Sequence, residues 1–253
     1  MTFEPIRQEL LIQAPPATVW QELRQPDRII QWHGWEDPGL EAEIQALYVD
    51  TAVVEDEGTS LVLGGHRIRL DPADGEDGEP GGATVLQLTR TPPAPDEQVD
   101  WEAIYDDVDE GWATFLHTLQ FRLERHPDDE RRTGFWWGRT IDAYGPRPVV
   151  ALGLDLLDEL QPGEPYEAIL SSGDELAGEV WFRTPHQVGV TVEAWGDGLL
   201  VVAESPSLHP PHAAAMVVAN LYDVGDAERD ALLGRITRAW NAEYTAEPLP
   251  SET

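Results

Sequence analysis

Glu9-Leu-Leu-Ile-Gln-Ala-Pro-Pro-Ala-Thr-Val-Trp-Gln-Glu-Leu23 is the stretch on which the fold turns. Ile6 to Ile12 is apolar and strand-like, and it stops at Gln13-Ala14-Pro15-Pro16. A proline pair ends strand pairing and suits the first turn of a helix. Val19, Trp20 and Leu23 then fall on one helical face before Pro26 breaks it. Trp20 is expected in the core. Ile29, Ile30 and Trp32 predict a short second helix ending near Gly34. About ninety residues on, Gly111-Trp-Ala-Thr-Phe-Leu-His-Thr-Leu-Gln-Phe-Arg-Leu-Glu124 answers the opening. Its Trp112, Leu116, Leu119 and Leu123 make a single apolar stripe that needs an apolar surface to face.

The segment between supplies one. Tyr48–Val54, Ser60–Leu63, His66–Leu70 and Ala83–Leu88 are short apolar runs separated by turn signals, which predicts an antiparallel meander. The polar, glycine-rich 71–82 is its longest connection. The charged run His126–Gly134 marks a boundary, giving domains at 1–127 and 134–247. Beyond it the order repeats: strand-like Trp136–Ala143, a helix over Val149–Leu160, then strands at Tyr166–Leu170, Glu179–Phe182, Gln187–Glu193 and Gly198–Ala203. A last helix from about Asp226 to Tyr244 carries Leu232, Leu233, Ile236 and Trp240. The class is α+β, one plan used twice.

The 253 residues hold 48 acidic and 16 basic side chains, a net charge of −32, and every basic residue is arginine. Up to His126 there are 26 acids and 8 arginines, and beyond it 22 and 8, so the acidity covers both halves. Such a surface disfavours nucleic acid and anionic membranes as partners. Evenly spread carboxylates fit adaptation to high salt better than a site for a cationic partner. Thermal stability is therefore expected to rise between dilute and molar salt; a midpoint indifferent to salt would contradict this. With no cysteine there is neither disulfide nor thiolate chemistry. No apolar run nears the ~18 residues of a membrane span, and the start lacks the pattern of a signal peptide, which predicts a cytoplasmic protein.

Residues 6–124 resemble the SRPBCC (START/Bet v 1-like) superfamily, in its branch named after the C-terminal domain of the activator of heat-shock chaperone ATPase. The matching positions are Ile12, Ala14, Pro15, Val19, Trp20, Leu23, Pro26 and Trp32 at the start, with Gly111, Trp112, Leu116, Leu119, Leu123 and Glu124 at the end. The aromatic-Gly-Gly strand of that branch is missing, and Gly64-Gly65 stands in its place. The resemblance implies a helix-grip fold: a curved antiparallel sheet wrapped around a long C-terminal helix, with an apolar cavity between. Residues 135–245 would be a degenerate second copy.

No Gly-x-Ser-x-Gly elbow occurs, and without lysine a P-loop in its usual form is excluded. His209-Pro-Pro-His212 is the only close histidine pair, and no third ligand accompanies it, so neither metal nor other cofactor is expected. Aromatic walls with a few polar tips remain. Trp32, Trp35, His66, Trp101, Tyr105 and His117 lie on or near elements bordering the expected interior; the plainer reading is that they fill a core. These features favour a non-enzymatic module binding a small apolar or amphipathic molecule. The alternatives are a chaperone-like protein partner, or a cyclase or hydrolase whose acid–base pair is not visible in the sequence.

Overall fold

The computed structural model describes residues 7–76, 78–90, 101–142, 144–205 and 214–245, with side chains undescribed at 57, 101–107 and 109. Packing divides the chain into two units, residues 1–100 with 112–128, and residues 101–111 with 129–253.

In the first unit the proline pair acts as its ring chemistry dictates. Strand β1 (Arg7–Ile12) ends, and α1 (Pro16–Arg24) starts with Pro16 in its first turn. Val19 and Leu23 carry the buried face of α1. Trp20, expected in the core, is only half-buried, because it sits one position round the helix from Val19. After α2 (Pro26–Ile29) the chain departs from the expected meander. Residues Leu40–Ile44 form α3, and Gln45–Asp50 continue as a π-helical turn, so Tyr48 is helical and not in a strand. The buried Leu40, Ile44 and Tyr48, spaced i, i+4 and i+8, form one inward row and account for the difference. The strand is reduced to β2 (Val53–Glu55). Strands β3 (Ser60–Leu63), β4 (His66–Ala73) and β5 (Ala83–Arg90) then complete a five-stranded antiparallel sheet in the order β1-β5-β4-β3-β2.

Helix α4 spans Trp101–Arg125, and from Trp112 on it belongs to this unit and lies along the sheet. The Trp112 ring is 5.3 Å from the His66 ring, at the end where β4 begins and β5 finishes. About two turns on, Gln120 Nε2 donates to the Leu11 carbonyl at 3.1 Å, and a turn later Glu124 Oε1 accepts from the Gln13 N–H at 2.8 Å, at the far end of β1. These side chains satisfy backbone groups along an edge strand, a position that otherwise invites pairing with other chains. Trp112, Leu116, Leu119 and Leu123 are all buried, as their spacing requires.

The second unit has a seven-stranded antiparallel sheet, β12-β6-β11-β10-β9-β8-β7. Its strands are β6 (Arg132–Thr140), β7 (Pro165–Ile169), β8 (Glu175–Arg183), β9 (Gln187–Val192), β10 (Gly198–Glu204), β11 (Ala214–Leu221) and the short β12 (Tyr244–Thr245). The first long strand pairs with the last strand of the meander, β6 with β11, as β1 pairs with β5. Helix α6 (Asp226–Glu243) contributes Leu232, Ile236 and Trp240 to the core under that sheet. The helix-grip plan is therefore present in both copies.

One expectation for this unit is corrected, and one long strand is added to those expected. Val149–Leu160 is not one helix; it is α5 (Pro148–Ala151) followed by a 3-10 turn at Asp155–Glu159. The break is at Gly153, whose φ of +78° is left-handed and whose Cβ, if present, would lie 2.8 Å from the Ile169 carbonyl oxygen. Strand β11 was assigned no element in the sequence, yet it is central, between β6 and β10. Its alanines have modest strand propensity, but neighbours on both sides pair it and its residues are almost all buried.

Candidate functional site

A cluster of rings sits where α4 begins to cover the first sheet. The turn after α2 brings in Trp32 and His33, the π-helical turn brings in Tyr48, β4 supplies His66, and α4 supplies Trp112 and Phe115. Trp32 is fully buried, its Nε1 donating to the Glu22 carbonyl at 3.1 Å. Its ring meets those of His33 and Tyr48 edge-on, at 5.7 and 5.8 Å between centroids. His33 lies 4.4 Å from Phe115 and 6.4 Å from Trp112. Its Nδ1 is 3.0 Å from the Tyr48 hydroxyl and its Nε2 is 3.1 Å from Glu43 Oε1. Burial, and after it the Glu43 carboxylate, holds the Tyr48 phenol well above its usual range, so it stays protonated.

His66 closes the cluster on the sheet side. It stands directly across from Arg90, and both side chains are on the inner face, each 9 % exposed. Burial, with a smaller contribution from the Arg90 charge, pushes the His66 imidazole down to about 4, so the ring is neutral at physiological pH. Its Nε2 is buried and meets no hydrogen-bond partner. Among the described residues of the first unit it is the one buried side-chain polar atom in that condition. A buried nitrogen left unpaired costs on the order of 1–3 kcal/mol.

Of the six residues singled out in the sequence, the structure brings Trp32 and His66 to this cluster, joined through His33 and Trp112. Trp35 is half-buried on the segment that follows Trp32. His117 lies ~140° round α4 from Trp112, on the ridge that includes Gln120 and Glu124, with its Nδ1 3.4 Å from Gln120 Oε1. It is half-buried, and desolvation pushes it too down to about 4. The side chains of Trp101 and Tyr105 lie outside the described residues, as does the His209–His212 pair. His33, Tyr48, Phe115 and Arg90 were not singled out. The helical spacing of Leu40, Ile44 and Tyr48 was the readable sign for Tyr48; nothing local marks the other three.

The second unit has an aromatic core of its own. Trp136, Trp195, Trp240 and Tyr244 fill its interior together with leucines and valines, and the Trp240 and Tyr244 rings stack at 4.1 Å. A small cavity of about 30 Å³ opens beside Arg147, Asp158, His186, Gln187 and Glu204. It has space for a water or two. Arg147 already pairs there with Glu204 at 2.6 Å and Asp158 at 2.8 Å.

No family model and no curated protein match the chain. Among solved structures it is similar to the di-domain ARO/CYC BexL from the BE-7585A biosynthetic pathway, at 11 % identity over 97 % of this chain and 100 % of that one, with a TM-score of 0.36. It is also similar to DynU16, a putative protein of the dynemicin biosynthetic locus, at 15 % identity over 95 % and 96 % of the two chains and a TM-score of 0.28. An AHSA1-like protein from Rhizobium etli matches at 23 % identity over 47 % of this chain and 81 % of that one, with a TM-score of 0.29. The likeness to BexL runs over nearly the whole length of both chains. At these identities and scores it carries nothing about function.

Proposed function

We propose that the first unit is a non-enzymatic binding module for a small apolar or amphipathic molecule held between α4 and the inner face of β4 and β5. The observation that carries this is the unpaired, buried His66 Nε2 set against the Trp112 ring. An apolar wall with one waiting polar atom is the composition of a small-molecule site. Covering ~300 Å² of ligand surface at ~25 cal/mol per Å² yields about 7 kcal/mol before the costs of association, which limits affinity to no tighter than ~10 μM.

Titration of the full chain with 1-decanol, followed by tryptophan emission, should saturate at one equivalent, and native mass spectrometry of fresh material should show a co-purified small molecule. No saturable change up to the solubility limit of decanol, together with a bare mass, would refute the reading.

A protein-interaction role draws support from one feature. Val53 and Val54 of β2, at an edge of the first sheet, are exposed, as is Val49 just before them. The outer face of that sheet also exposes Leu11, but polar pairs interrupt it, with Arg67 paired to Glu55 and Gln87 bonded to Glu9. That makes the interior the stronger candidate.

A further inference from the structure

Trp32 and Tyr48 are shut off from solvent, and His33 between them is 2 % exposed. A ligand bound beside these rings therefore needs part of the first unit to move. Three parts enclose the cluster: the sheet, α4, and the strap made of α3 (Leu40–Ile44) and the π-helical turn that continues it (Gln45–Asp50). Strand pairing holds the sheet, and the buried stripe from Trp112 to Leu123 holds α4. The strap is held differently. It packs against α1 and α2. Leu40, Ile44 and Tyr48 are its buried residues, Leu47 is half-buried and the rest are exposed. No side chain caps the N-terminus of α3, and a π-helical turn is an uncommon geometry that recurs at functional sites.

A chain of polar contacts fastens it. The Glu43 side chain, 60 % exposed, lies 3.1 Å from His33 Nε2. A carboxylate only accepts, so Nε2 carries the proton and donates it; Nδ1 of the neutral ring then accepts from the Tyr48 hydroxyl at 3.0 Å. Arg24 Nη1, from α1, adds a bond to the Tyr48 carbonyl at 3.3 Å. Glu43 and Tyr48 belong to the strap and His33 does not, so the chain ties the strap to the turn after α2. Water competes for Glu43 at the outer end. At the inner end, breaking the Tyr48–His33 bond strands two buried polar atoms unless the strap lifts far enough to hydrate both. Intermediate positions are thereby disfavoured, which leaves two discrete states.

We propose that residues 40–50 are a lid over the aromatic cluster, latched by Glu43, His33 and Tyr48. Burial of Leu40, Ile44 and Tyr48 keeps the open state a minor one. The lid supplies the route of entry for the binding reading above and rests on that reading for its purpose.

Native-state hydrogen exchange of the full chain, without ligand and in low urea, reads the opening directly. Protection of the Gln45–Asp50 amides should be at least ~10-fold lower than that of β5, which is paired on both sides. It should depend little on urea, because lifting the lid exposes little surface. Tyr48→Phe leaves His33 Nδ1 buried without its donor only while the lid is closed, so it should speed that local exchange a further ~5-fold or more. If that variant does not fold, Glu43→Ala, at an exposed position, should speed it ~2-fold or more. Exchange of Gln45–Asp50 that matches β5 in rate and in urea dependence overturns the lid and leaves the binding module standing. Local exchange unchanged in the folded variant overturns the latch, and the proposal with it.

Discussion

Glu22→Gln is expected to lower the unfolding free energy by about 3–5 kcal/mol. The Glu22 side chain is 1 % exposed. One carboxylate oxygen accepts from Arg122 Nε at 3.1 Å, and the other accepts from an Arg28 guanidinium nitrogen at 2.7 Å. Arg122 is itself buried and also donates to the carbonyls of His126 and Pro127, both at 3.2 Å. The bond thus fastens the opening helix α1 to the last turn of α4 across a hundred residues of sequence. Removing the negative charge takes from the buried Arg122 its charged bond to Glu22 in a dry setting, and that is where the energy is lost. Replacing both partners by methionine should restore much of the stability, since an apolar pair of similar volume has no charge to desolvate. Urea denaturation followed by circular dichroism measures both variants. A loss below ~1 kcal/mol for Glu22→Gln would show that the pair contributes no more than an exposed ion pair does.

Acid should destabilise the fold through two histidines. His66 and His117 titrate near 4 in the folded chain and near 6.5 when unfolded. Between those values the unfolded chain binds protons that the folded chain does not, so stability falls as pH drops from about 6.5 toward 4. For His66 the difference is on the order of 3 kcal/mol, and His117 adds to it in the same sense. Protonation of carboxylates acts in the opposite sense in a chain of charge −32, by relieving repulsion. The comparison that isolates the histidines is therefore between the natural chain and His66→Gln/His117→Gln. The double variant should show a flatter dependence of unfolding free energy on pH between 4 and 6.5. Parallel curves for the two proteins would contradict the assignment.

Much of the fold was legible because it is encoded locally. The proline pair marks a strand end and a helix start by ring geometry alone. The Trp112–Leu123 stripe marks a helix that must lie on something apolar. Where the reading went astray, two local preferences competed. β-branched residues after Tyr48 suggested a strand, whereas the inward row Leu40, Ile44, Tyr48 selected a helix. The apolar run at Val149–Leu160 suggested one helix, and a left-handed glycine pressed against Ile169 divided it. For the site, Trp32 and His66 could be picked out as residues beside an expected interior. Arg90 could not, because in the sequence it is one more arginine after a strand.

By itself the amino-acid order determined the class of fold, its use in two copies, the buried face of each long helix and the acidity spread over both halves, all properties of short windows or of simple counts. Tertiary structure alone decided that Glu22, placed like a surface residue on an amphipathic helix, is buried against an arginine a hundred positions away. It also decided that His66 and Arg90 form one rung facing Trp112. Burial and charge pairing depend on which distant segments meet, and strand register, which sets that for His66 and Arg90, is a property of the assembled sheet and not of either strand.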